Sequence, residues 1–226
     1  MIHSFRRAAQ IGVPVLALAL AGTLSGCAKD KGELVVSGGV GVTALRSPCP
    51  TVGIPDYTGD ITQFRTPGNT DESNMDVTAT MTHLRSQCTN DPSNPKLYTQ
   101  ATFDVLASRT DTRGARQVKL PYFVSVVRGG GAVVSKRVGT VTIDFADGQA
   151  RATGHGEAGA YVDREQATLP RDIREKLTRK RRSGDADAAI DPLSQPDVKA
   201  ALARASFELL VGFQLTSDQL AYNVTR

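Results

Sequence analysis

From residue 75 onward the chain settles into a hydrophobic period of two. Met75, Val77, Ala79 and Met81 alternate with Asp76, Thr78, Thr80 and Thr82, as in a strand with one wet face. Ala101, Phe103, Val105 and Ala107 repeat the pattern against Thr102, Asp104, Leu106 and Ser108. Asp111–Gly114 supplies turn chemistry, and Val118, Leu120, Tyr122, Val124 and Val126 follow at the same spacing. Pro121 has no amide hydrogen, which predicts an edge or bulged strand there. Gly129-Gly130-Gly131 predicts a turn, and Val138–Phe145 a strand with Val141, Ile143 and Phe145 on one face. Asp147-Gly148 predicts a type I′ hairpin. Its outgoing strand, Gln149–Val162, lines one side with Ala150, Ala152, Gly154, Gly156, Ala158, Ala160 and Val162. So little side chain predicts either bulky neighbours above that face or a close approach by another backbone. Short antiparallel strands at this spacing predict a mainly β fold, an antiparallel β-sandwich or partly open barrel.

The period changes after Thr168. Thr168 as a cap, Pro170 in a first turn, and Ile173 and Leu177 one turn apart predict a helix running to Gly184. Asp172 with Lys176, and Glu175 with Arg179, are acid-before-base pairs at i,i+4 that support it. Ser194 and Asp197 around Pro196 predict a second helix through about Ala205. Phe207, Leu209, Val211, Phe213 and Leu215 return to alternation, and Leu220–Thr225 reads as a closing strand. The helices therefore read as a two-helix insertion near the C-terminus, at about 168–205, within a β-rich domain spanning 73–226. Residues 28–72 are rich in Gly, Pro, Thr and Asp, with a strand-like segment at Glu33–Val42 and interruptions at Pro48, Pro50, Pro55 and Pro67.

The N-terminus carries an address. Arg6 and Arg7 precede an apolar stretch from Ile11 to Leu20, about ten residues where a membrane-spanning helix needs roughly twenty. Leu24-Ser25-Gly26-Cys27 closes it. This combination resembles the lipobox signal peptide of bacterial lipoproteins. The resemblance implies removal of residues 1–26, acylation of Cys27, and a lipidated tether and irregular N-terminal segment over 27–72. Several acyl chains make such anchoring stable, whereas one holds only marginally. Ala28, where an aspartate often retains lipoproteins in the inner membrane, implies the periplasmic face of the outer membrane. The partner so implied is the membrane itself, through the lipid anchor.

Loss of residues 1–26 removes two arginines and no acid, leaving 25 basic and 23 acidic residues and a net charge of +2. The two remaining cysteines, Cys49 and Cys88, predict a disulfide in an oxidising compartment. Neither has a CxxC partner or a nearby histidine.

Candidate chemistry is sparse. Arg171, Arg174, Lys176, Arg179, Lys180, Arg181 and Arg182 stand against Asp172 and Glu175, a local +5 that leaves −3 for the rest of the mature chain. Such focused charge suits an anionic lipid headgroup, lipopolysaccharide or an acidic envelope protein, and equally a solvated helix end facing the negative pole of its dipole. Nucleic acid is excluded as a partner by the envelope address and by aromatics at 5% with no tryptophan. His155 and Glu157 share the polar face of one strand, and His83 is the only other mature histidine, on a strand of unknown alignment. A metal site needs a third ligand, so none is assigned and no cofactor is expected. Ser93-Asn94-Pro95-Lys96 matches S-x-x-K without its companion motifs, and no P-loop or GxSxG occurs. With no convergent catalytic set, the leading expectation is a non-enzymatic envelope lipoprotein for support or scaffolding. The alternatives are an anionic-lipid or lipopolysaccharide-binding module using the run 171–182, and an envelope hydrolase with His155 and Glu157.

Overall fold

The computed structural model describes residues 47–180, 184–185 and 189–226. Cys27 with its motif, the segment Glu33–Val42, Arg181 and Arg182 lie outside them. Two four-stranded sheets pack face to face, one curved as a half-barrel, as the alternating pattern predicts. The first sheet contains β1 (Thr51–Gly53), β8 (Phe207–Phe213), β5 (Arg116–Arg128) and β6 (Ala132–Phe145), in that order. The second contains β2 (Asp60–Phe64), β3 (Met75–Thr89), β4 (Lys96–Arg109) and β7 (Arg151–Asp163). All pairs are antiparallel except β1 with β8, which is parallel. Between β7 and β8 come α1 (Arg164–Ala167), α2 (Arg171–Thr178) and α3 (Pro196–Ala205); α4 (Ser217–Thr225) ends the chain. Among the described residues no helix is long and apolar enough to cross a membrane.

The inner faces supply the core. Val77, Leu97, Val105, Leu120, Val141, Ile143, Phe145, Leu209, Val211 and Phe213 are essentially fully buried. Each buried side chain of this size contributes roughly 1.5–3 kcal/mol, which is why period two dictates the face. A smaller cluster of Leu169, Ile173, Val198, Ala201 and Ala205 holds the helices together. The small-residue face of β7 lies under bulky neighbours. A Cβ added at Gly154 would stand 2.7 Å from Val141 Cγ1 and 2.9 Å from the Thr142 carbonyl, and one at Gly156 would enter the Phe103 ring. Glycine is what lets β6 of one sheet approach β7 of the other.

Several local expectations are corrected. Asp147-Gly148 turns the chain, with Gly148 at φ 76°, but β6 and β7 belong to different sheets, so the turn is a corner between layers and not a hairpin. Pro121 sits inside β5, an interior strand, while the bulge lies at Val126/Val127. The proline is tolerated because β8 pairs only from Tyr122 onward, so its missing amide faces the place where that ladder stops. Leu220–Thr225 is helical. Thr216 Oγ1 accepts from the Gln219 amide at 3.2 Å, and the Gln219 side chain accepts from the Thr216 amide at 2.9 Å, forming a capping box. α2 stops at Thr178 rather than Gly184, and Pro170, not Thr168, stands at its N-cap. The Thr168 hydroxyl instead donates to the Arg164 carbonyl of α1. Neither Ser194 nor Asp197 caps α3, whose N-cap is Gln195. Two strands, β1 and β2, lie within the proline-rich stretch that reads as irregular.

Asp76, at the start of β3, accepts from both terminal nitrogens of Arg116, at the start of β5, at 2.7 and 2.6 Å. This forked pair ties the two sheets. The Arg116 hydrogen bond holds the Asp76 carboxyl below its usual 3.8, outweighing the upward push of burial. A depressed folded-state value means the stabilisation is complete above 3.8 and is lost as pH falls through the lower folded value. Asp76→Asn is therefore expected to lose about 1–2 kcal/mol at neutral pH. The gap from the parent should close in the acid limb of urea titrations. A gap constant down to pH 2 would contradict it.

Candidate functional site

The exposed face of the second sheet brings together residues distant in sequence. Asp104 on β4 and His155 on β7 are direct cross-strand partners, and Thr102 and Glu157 are the next such pair. On the other flank, Thr82 of β3 pairs with Asp104, and the register then shifts before Arg85 pairs with Thr102. Two residues of β3, His83 and Leu84, thus oppose one residue of β4. That bulge inverts the alternation, so both Thr82 and His83 lie on the solvent side while Leu84 packs against the core. His83 takes up the kink with φ 50°, an uncommon conformation for a non-glycine residue.

Asp104 therefore stands between two imidazoles. His155 Nδ1 lies 2.6 Å from Oδ1, and His83 Nδ1 lies 3.0 Å from Oδ2. The His83 and His155 side chains are 65% and 79% exposed, against 32% for Asp104. The hydrogen bond from His155 holds the Asp104 carboxyl below the ordinary range; burial pushes it up, and the bond from His83 lowers it further. An open groove of about 510 Å³ runs over the cluster, lined also by Arg85, Thr102, Phe103, Gly156 and Glu157. Glu157 accepts from Gln100 Nε2 at 3.3 Å. Among the described residues, no three His, Cys, Asp or Glu side chains converge as a ready-made metal shell.

His155, Glu157 and His83 are thus brought to one groove, as their shared polar face and one unknown register allowed. Asp104, the group that links the histidines, carries no motif. Its only signal is its place on the wet side of β4.

The basic run is divided differently. Arg171 Nε donates to Glu175 at 2.7 Å, and Lys176 Nζ reaches Asp197 of α3 at 2.5 Å. Arg174 lies on α2, while Arg179 and Lys180 follow its end. Glu175 thus engages Arg171, and Asp197 of α3 engages Lys176, whose charge Asp172 favours as well, as the expected i,i+4 pair has it. Ser93 belongs to a turn, its hydroxyl donating to Asp91 at 2.8 Å. Cys49 and Cys88 form the expected disulfide, with Cα atoms 6.2 Å apart.

A residue with no motif organises the far end of the sandwich. Arg109 is 3% exposed. Its guanidinium donates to the carbonyls of Gln149, Gly114, Thr112 and Ala146 at 2.7–2.9 Å and lies 5.1 Å from the centre of the Phe145 ring. No family model, no curated protein and no solved structure matches the chain.

Proposed function

We propose that this chain is a lipid-anchored envelope protein whose β-sandwich supports or scaffolds other envelope components, held at the periplasmic face of the outer membrane through Cys27. The observation that carries the reading is the Cys49–Cys88 disulfide. Such a bond is characteristic of exported proteins, where no reducing pool opens it. It agrees with the address written at Leu24-Ser25-Gly26-Cys27.

The test is fractionation with mass analysis of the native N-terminus. The parent should sediment with membranes and begin at an acylated Cys27, and Cys27→Ala should lose both properties. A parent N-terminus without acyl mass would overturn the proposal, as would a Cys27→Ala protein that is trimmed and still sediments.

A further inference from the structure

We propose that the groove between the free edges of β6 and β7 binds a linear, uncharged polysaccharide strand, with Tyr161 and Tyr98 as its stacking platform. The inference extends the scaffolding reading without resting on the anchor. β6 and β7 are the outer strands of their sheets and come together at Gly154. Farther along, an open groove of about 590 Å³ lies between them. A chain with five tyrosines and no tryptophan places three of them, Tyr98, Tyr122 and Tyr161, in this one lining. Tyr98 and Tyr161 are direct cross-strand partners, with ring centres 4.7 Å apart and Tyr161 67% exposed. Glycine lays the rings down. A Cβ at Gly159 would run into the Tyr98 hydroxyl and stand 2.9 Å from its Cζ, and one at Gly139 would enter the Tyr122 ring. Glycine weakens a strand and often marks a close approach. Gly159 is exposed, so core packing gives no reason for it. What it achieves is a Tyr98 ring lying across β7 instead of standing up from the sheet.

The rest of the lining selects the ligand. Arg137 and Glu157 contribute one charge of each sign, so the groove as a whole favours neither anions nor cations. Both are planar groups suited to neighbouring hydroxyls: the guanidinium donates and the carboxylate accepts. The tyrosine faces carry negative charge density and meet the slightly positive C–H face of a pyranose, the preference that also sets aromatic pairs edge to face. A saturated acyl tail would cover Ser135, Arg137 and Glu157 without bonding them, at a desolvation cost. A sugar offers C–H faces to the rings and hydroxyls to the charged groups. Length argues for a polymer. Glu157 lines this groove and also the one over Asp104, so the two meet there. From Tyr161 to His155 the joined trough follows β7 for roughly 20 Å, at about 3.3 Å per residue. Such a run suits pyranoses joined through equatorial bonds, which form an extended ribbon, over axially joined ones, which coil.

The experiment titrates the full chain with cellohexaose, chitohexaose and maltohexaose, by calorimetry and by tyrosine emission, which no tryptophan obscures. At least one of the two extended sugars should bind, and the coiled maltohexaose more weakly. Tyr161→Ala should weaken binding about tenfold, as truncation of an aromatic anchor does. Tyr161→Phe keeps the ring face and should bind like the parent. Gly159→Ala has only the Tyr98 ring to push aside, so it should stay folded and bind severalfold more weakly. Melting curves of the sugar-free variants check the fold. Binding of neither extended sugar would overturn the proposal, whether or not the groove takes palmitate instead. So would maltohexaose bound as tightly as the extended sugars, or a Tyr161→Ala protein with the parent's affinity.

Discussion

Arg109→Met is expected to lower the free energy of unfolding by about 3–5 kcal/mol, the largest effect of any single substitution outside the hydrophobic core. Arg109 ends β4, and its guanidinium reaches into two of the connections that pass from one sheet to the other. Thr112 and Gly114 belong to the link from β4 to β5, and Ala146 and Gln149 to the link from β6 to β7. The Arg109 amide donates to the Ala150 carbonyl at 2.9 Å, and the Gly148 amide donates to the Thr112 carbonyl at 2.9 Å, so the two links already touch. Methionine fills much of the volume but removes a donor from all four carbonyls; Thr112 and Ala146 keep the amides of Gly148 and Gln149, so the desolvation cost of about 1–3 kcal/mol per carbonyl falls chiefly on Gln149 and Gly114, eased where water enters. Lysine is expected to recover only part of the loss. A single ammonium cannot present the fork of donors that four separated carbonyls require. Urea unfolding with an unchanged slope measures the effect. A loss under about 1 kcal/mol would mean that the two links hold their shape unaided.

Reduction of the Cys49–Cys88 bond should remove about 4 kcal/mol, from a closed loop of 40 residues on the chain-entropy estimate. Melting should fall by roughly 10 °C for a domain of this size. The bond acts on more than loop length. Cys49 lies just before β1, at one edge of the first sheet, and Cys88 lies near the end of β3 in the second. β1 has only three residues and one neighbour, so it depends on whatever holds its entry. Melting of the oxidised protein, the reduced protein and the Cys49→Ser/Cys88→Ser variant provides the comparison. Equal midpoints would show that the preceding segment is held without the bridge.

The long strands were legible because one face of each is wet, so burial writes itself as alternation. β3 through β8 follow from it, as does the small-residue face of β7. Elements too short to show a period were not: β1 and β2 have three and five residues among prolines. The terminal helix misled in an instructive way. Leu220, Tyr222 and Val224 alternate like a strand, yet Leu220 and Val224 are substantially exposed, and the buried residue is Asn223. Its side-chain amide donates to the Tyr57 and Asp60 carbonyls at 2.8 Å each, pinning α4 beside β2. The Thr216–Gln219 box, visible in the sequence, was the better signal.

Asp147-Gly148 teaches a related lesson. Turn chemistry reports backbone angles locally and carries no information about which sheet the next strand will join. The candidate site failed to appear for the same reason. Asp104 and His155 each sit on a readable wet face, but their juxtaposition depends on strand register. The arrival of His83 depends on a one-residue bulge that no composition or spacing marks.

β8 is the last strand to be synthesised, yet it lies second in its sheet, bonded to β1 on one side and β5 on the other. A polypeptide emerging N-terminus first, from a ribosome or through a channel, keeps β1 and β5 without their common neighbour until residue 213 is out. The chain therefore remains threadable for nearly its whole length and closes late. A premature stop before residue 207 would leave two raw strand edges open to pairing with other chains or to proteolysis, and not a shorter working domain.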